Sequence, residues 1–133
     1  MNLLEFLSDK PVVGILRDVP LKDANQVVQV SAACGLKAIE VTMNTAEATD
    51  IIKAMKAAAE PYGIAVGAGT VRHSKDLDQA LAAAAQFIVT PNTRHEIIRT
   101  AATAGIPIIP GALTPTEVQK AYDLGETAVK IFP

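Results

Sequence analysis

Short apolar runs alternate along this chain with longer stretches in which apolar residues recur every three or four positions. The runs fall at residues 12–16, 37–42, 64–68, 87–90, 106–110 and 128–132, each rich in Val, Ile or Ala and bounded by Gly, Pro or Thr. Nearly continuous apolarity over so few residues predicts strands buried on both faces, as in parallel sheets. The stretches between them, 21–34, 46–59, 75–85, 94–104 and 115–123, predict amphipathic helices, with a short leading helix over 2–7. Thr114-Pro115-Thr116-Glu117 offers a Thr N-cap, a first-turn Pro and a capping-box Glu. Ser74 and Thr93 are further N-cap candidates, and Gly35, Gly105 and Gly125 stand where a helix ends in a left-handed residue.

Strictly alternating β and α elements imply one α/β domain built on a parallel sheet. An open doubly wound sheet and a (β/α)8 TIM barrel both satisfy that pattern. Barrels usually need about 250 residues, with about 200 as a lower figure. This chain has 133 residues and about six βα units, and it stops at a strand with no helix after it. The expectation is therefore a single barrel domain over 1–133, truncated after strand six and exposing two strand edges.

Two charges interrupt the strand-like runs. Lys130 sits in Thr127-Ala128-Val129-Lys130-Ile131-Phe132-Pro133, and Glu40 sits in Lys37-Ala38-Ile39-Glu40-Val41-Thr42. Burial disfavours an ammonium, and the free amine is a nucleophile able to form a Schiff base with a carbonyl. An edge strand whose Lys snorkels to water would also accommodate Lys130. Residues two apart in a strand share a face, so Glu40 goes with Ala38 and Thr42, and Lys130 with Ala128 and Phe132. In a barrel, both sets point inward near the C-terminal mouth, where barrel active sites lie. A Lys and a Glu there suit carbonyl chemistry, although a buried ion pair serving only the fold has the same pattern. Arg17, just past the first strand, is either an anion contact or a surface residue. Gly67-Ala68-Gly69-Thr70, Thr90-Pro91-Asn92 and Pro110-Gly111 close three further strands and can be ordinary turns.

Composition narrows the function classes. A net charge of −2 leaves no electrostatic footprint for nucleic acid or an anionic membrane. Aromatic residues make up only 4% and Trp is absent, which argues against base-stacking platforms. Cys34 is the single cysteine, so no internal disulfide forms and a reducing, cytoplasmic compartment fits. The start has no basic segment of a signal peptide, and no apolar run approaches the ~20 residues of a membrane span. His73 and His95 lack metal-ligand spacing, so neither a metal nor any other cofactor is expected.

Gly14-Ile15-Leu16-Arg17, Glu40-Val41-Thr42, Gly67-Ala68-Gly69-Thr70-Val71, Phe87-Ile88-Val89-Thr90-Pro91, Pro110-Gly111-Ala112-Leu113-Thr114-Pro115-Thr116-Glu117 and Val129-Lys130-Ile131-Phe132-Pro133 occur in register along nearly the whole chain. Together they resemble the 2-keto-3-deoxy-6-phosphogluconate / 4-hydroxy-2-oxoglutarate (KDPG/KHG) aldolase family. The resemblance implies a class I aldolase on a (β/α)8 barrel, usually a homotrimer, that acts on a small-molecule keto acid without a cofactor. It implies that Lys130 is the Schiff-base lysine and Glu40 the proton-transfer residue. It further implies that Thr70, Pro91 and Phe132 line a pyruvate pocket and that Arg17 contacts a substrate anion. Many members carry Arg four residues after the catalytic Glu. Here that residue is Asn44, which, with Thr90-Pro91-Asn92, is similar to the branch acting on 2-dehydro-3-deoxy-6-phosphogalactonate. The expected reaction is cleavage of a 2-keto-3-deoxy-6-phospho sugar acid to pyruvate and glyceraldehyde 3-phosphate. The alternatives are a family member acting on 4-hydroxy-2-oxoglutarate, or a non-catalytic partial barrel that folds only by association.

Overall fold

The computed structural model describes residues 2–133, in which six parallel strands lie side by side in chain order. They are β1 (Val13–Leu16), β2 (Ala38–Thr42), β3 (Ala65–Gly69), β4 (Ile88–Thr90), β5 (Ile108–Ala112) and β6 (Lys130–Ile131). A short helix, α1 (Leu3–Phe6), precedes them, and the crossovers are α2 (Ala24–Ala33), α3 (Ala48–Ala59), α4 (Ser74–Ala82), α5 (His95–Thr103) and α6 (Pro115–Asp123). Among these residues no helix is long and apolar enough to cross a membrane.

All five crossover helices pack on one face of the sheet. Val28 of α2, Ile51, Ile52 and Met55 of α3, Leu77 of α4, Ile97 and Ile98 of α5 and Ala121 of α6 share a core with Ile39, Val41, Val66, Ala68, Ile88 and Ile108. The apolar positions of each helix recur at three- or four-residue spacing, and the strand residues are the alternate ones, as the two periods require. A doubly wound sheet has helices on both faces, so one-sided coverage excludes that topology. The opposite face forms a separate cluster of Leu3, Ala38, Ala65, Phe87 and Val89, in which α1 supplies Leu3.

The sheet also curls. Lys130 on β6 acts electrostatically on Glu40 on β2. In a flat sheet these strands would lie about 19 Å apart, at 4.7–4.9 Å per strand spacing. An influence of Lys130 on Glu40 across four strand spacings fits a concave inner face.

Several boundaries differ from the sequence reading. β3 and β5 run one and two residues further, to Gly69 and Ala112, because Thr42 pairs with Gly69 and Ala112 with Ile131. Pro110 therefore lies within β5 instead of ending it. β6 comprises only Lys130–Ile131, since it pairs with β5 alone and Ile131 is 69% exposed. Its mate at the other edge, β1, leaves Ile15 55% exposed. Thr114 does cap α6, accepting from the Glu117 N–H while the Glu117 carboxylate accepts from the Thr114 N–H. Ser74 is not a cap; it is the first residue of α4, and the Asp76 carboxylate instead accepts from the N–H groups of Arg72 and His73. Thr93 is not a cap either, because its hydroxyl donates to the Gly111 carbonyl at 2.9 Å. The glycines at 35, 105 and 125 have φ of 72°, 69° and 89°, as helix stops require.

Gly67 lies under the fully buried Phe87 ring, where a Cβ would sit 2.6 Å from three ring carbons. Gly67→Ala is expected to lower the urea midpoint by an amount equivalent to about 1–3 kcal/mol, the usual cost of overpacking. An unchanged midpoint would show that the Phe87 ring can shift freely.

Candidate active site

The inner face narrows to a group of polar residues at the C-terminal ends of the strands. Glu40 stands in the middle of β2, 3% exposed, with Ile15 and Gly67 as its register neighbours. Its carboxyl leans forward along the sheet and rests against Gly69, the register partner of Thr42. Burial pushes its pKa up to about 7, and the positive charges of Lys130 and then Arg17 pull it part of the way back. Both cations therefore act on this carboxyl. Neither is in ion-pair contact with it, because the ion pairs among the described residues are the exposed Lys53–Asp50 and Arg94–Glu96.

Lys130 opens β6 opposite Gly111. It is half-buried, so the segment is not the fully buried strand that its apolarity predicts. An edge strand has a neighbour on one side only, and Lys130 has no second strand over it. Its ammonium stands 4.7 Å from the centroid of the Phe132 ring, a cation–π contact that orients the side chain. Arg17 directly follows β1 and is exposed. Thr70 directly follows β3 with φ of 55°, a strained conformation for a β-branched residue and one concentrated at functional sites. Pro91 follows β4, and its carbonyl lies against the Cα of Gly111, the neighbour of Lys130.

The fold thus brings Glu40, Lys130, Arg17 and Phe132 to one surface, with Thr70 and Pro91 at its rim. Asn44 stands outside this group. It is exposed in the turn leaving β2, and among the described residues no hydrogen bond fixes its side chain.

One buried network escapes the sequence reading. The Thr42 and Thr45 hydroxyls are hydrogen-bonded at 3.0 Å, and the Asp18 N–H donates to Thr45 Oγ1 at 3.1 Å. Asp18 has φ of 56° and follows Arg17, so this network ties the Arg17 loop to the end of β2. The shared face of Thr42 and Glu40 was a usable signal; the reach of Thr45 back to Asp18 depends on a turn that the sequence does not specify. His73 and His95 are exposed, and among the described residues no three His, Cys, Asp or Glu side chains gather to hold a metal.

The sequence pattern of the "KDPG and KHG aldolase" family matches residues 3–133. The chain belongs to that family. It is 34% identical over 129 residues to 2-dehydro-3-deoxy-phosphogluconate aldolase of Pseudoalteromonas atlantica, covering 97% of this chain and 59% of the relative. It is 33% identical over 132 residues to 2-dehydro-3-deoxy-6-phosphogalactonate aldolase of Escherichia coli, covering 98% and 63%. The chain therefore spans about three-fifths of the length of these relatives. Overall identity does not separate the gluconate branch from the galactonate branch. A solved KDPG aldolase from Legionella pneumophila, with pyruvate captured at low pH as a covalent carbinolamine intermediate, superimposes with a TM-score of 0.83 at 25% identity. That match covers 96% of this chain and 61% of that one.

Proposed function

We propose that this chain carries the catalytic groups of a class I aldolase that cleaves a 2-keto-3-deoxy-6-phospho sugar acid to pyruvate and glyceraldehyde 3-phosphate. The observation that carries the reading is the meeting, on one concave face, of a buried carboxyl titrating near 7 with a half-buried amine four strands away. The Lys130 amine adds to the C2 carbonyl, and loss of water gives an iminium that withdraws electrons. Glu40 takes the C4 hydroxyl proton, the C3–C4 pair moves into the iminium to give an enamine, and the aldehyde departs. Protonation at C3 and hydrolysis release pyruvate and restore the amine. A carboxyl with a pKa near the operating pH can take one proton and return another. The captured carbinolamine in the Legionella enzyme is the species that amine attack on pyruvate produces.

In this reading Arg17 binds a substrate anion, and Thr70, Pro91 and Phe132 border the pyruvate. The six βα units belong to a (β/α)8 barrel, which one-sided helix packing and the curl of the sheet support. A cytoplasmic homotrimer is the proposed state of the protein. Borohydride reduction in the presence of pyruvate, followed by peptide mass spectrometry, tests the proposal. The adduct is expected on Lys130, and an adduct confined to surface amines such as Lys53 would refute it.

Asn44 is the proposed reader of substrate stereochemistry. It donates and accepts hydrogen bonds without charge, unlike the Arg at this position in many members. The 6-phosphogalactonate-derived substrate should be cleaved. Asn44→Arg should move the ratio of kcat/KM values toward the gluconate epimer by roughly tenfold or more, as gain or loss of a polar contact worth about 1–3 kcal/mol implies. An unchanged ratio would remove Asn44 from substrate recognition.

A further inference from the structure

We propose that Gly69 is a positioning residue: its missing side chain gives the Glu40 carboxyl a seat against β3, apart from the cations Arg17 and Lys130. The role rests on Glu40 being the proton-transfer group of the proposed aldolase. A Cβ at residue 69 would lie 2.5 Å from Glu40 Oε1, 2.6 Å from Cδ and 3.1 Å from Oε2, and these are the three nearest atoms. The backbone of Gly69 is not left-handed, so its own φ does not demand glycine. Space for one carboxyl is what the position provides. The two other inner-face glycines of β3 and β5 serve different neighbours, Gly67 the Phe87 ring and Gly111 the Pro91 carbonyl.

The seat matters because of what surrounds it. The charged groups that act on Glu40 are Lys130 on β6 and then Arg17 beyond β1. The inner face of β3, β4, β5 and their flanking residues otherwise carries Ala65, glycines, Phe87, Val89, Pro91 and Ile109, with Leu3 of α1 and Leu7 just after it packed on the same side, and none of these is charged. A carboxyl pushed off β3 must take up another position in a neighbourhood whose charged groups are both cations. Pairing with Arg17 would occupy the anion contact. Pairing with Lys130 would hold the amine as an ammonium and remove its nucleophilicity. Seated against Gly69, the carboxyl keeps near-neutral titration and stays out of ion-pair contact with Lys130.

Four proteins test this: wild type, Gly69→Ala, Glu40→Asp and the double variant. Glutamate labelled with 13C at its carboxyl reports the Glu40 titration directly, without reference to catalysis. In Gly69→Ala the midpoint near 7 should fall by roughly 1–3 units, as approach of a cation requires. Exchange of pyruvate methyl protons with deuterated water should slow by ~100-fold, the scale of an ångström-level misplacement. The shorter Asp vacates the overlap, so Gly69→Ala should add no further loss to Glu40→Asp. A folded Gly69→Ala protein with an unchanged Glu40 midpoint overturns the proposal, as do additive losses in the double variant. If Gly69→Ala fails to fold and the double variant folds, overlap with Glu40 is the cause and the seat stands. If neither folds, the methyl meets something other than Glu40 and the seat is wrong. Absence of pyruvate exchange and of a borohydride adduct in wild type would sink the aldolase reading, while the titration would still decide the role of Gly69.

Discussion

Lys130→Met will form no borohydride-reducible adduct with pyruvate, and its cleavage activity will fall on the order of 10⁴-fold or more. The scale is that of removing a covalent nucleophile while leaving the rest of the site in place. Methionine matches the length of the lysine stem and can stay against Phe132, so the fold should survive. The variant has a second consequence that a merely damaged protein would not show. Lys130 is the larger of the two positive influences lowering Glu40, so its removal should raise the Glu40 midpoint above about 7. Persistence of the adduct in Lys130→Met would place the nucleophile elsewhere.

Glu40→Gln should separate imine formation from proton transfer. Pyruvate trapping should persist, while cleavage and methyl-proton exchange drop by roughly 10²–10⁴-fold, the usual contribution of general acid–base groups. The same substitution should make the protein more stable at alkaline pH. The pKa of Glu40 is raised in the folded state, from 4.5 to about 7. Between those values the native state holds a proton that the unfolded state has lost, so wild-type stability falls as pH rises through that window. Gln carries no such penalty. The advantage of the variant should be absent near pH 4 and reach on the order of 2–3 kcal/mol by pH 8, measured as the change in urea midpoint. A pH-independent difference in stability would mean that Glu40 is not held in the conformation described here. Faster or unchanged turnover in the variant would remove Glu40 from the mechanism.

The sequence exposed most of this site because strands translate parity into direction. Once residues 37–42 are read as a strand, Glu40 must oppose Ile39 and Val41, and the packing agrees: those two join the helix-side core while Ala38 lies in the inner cluster. Lys130 was legible for the same reason, as Val129 packs on the helix side. Its partial exposure was legible only as one of two readings, the edge strand against the buried one, because burial at an edge depends on what pairs with the strand and not on the apolarity of its residues. The ends of β3 and β5 were misread because Gly and Pro usually mark turns. Here Gly69 and Gly111 are small because neighbouring groups lie over them, a reason visible only when the strands are side by side. The Thr42–Thr45–Asp18 network was hidden because it joins two loops, and loop geometry is weakly encoded in residue type.

Sequential adjacency of the strands has a consequence for how the polypeptide leaves the ribosome. Each strand finds its partner in the unit made just before it, so the sheet can grow by accretion from β1 to β6 with short loop closures at every step. Helix-side packing accumulates gradually, but chemistry does not. Glu40 emerges early, in the second unit, and Lys130 not until the sixth. Throughout that interval the nascent chain holds a carboxyl in an apolar hollow with no amine opposite it. The two groups of the proposed site then come together in a single late event, the docking of two residues of β6 beside Gly111 and Ala112.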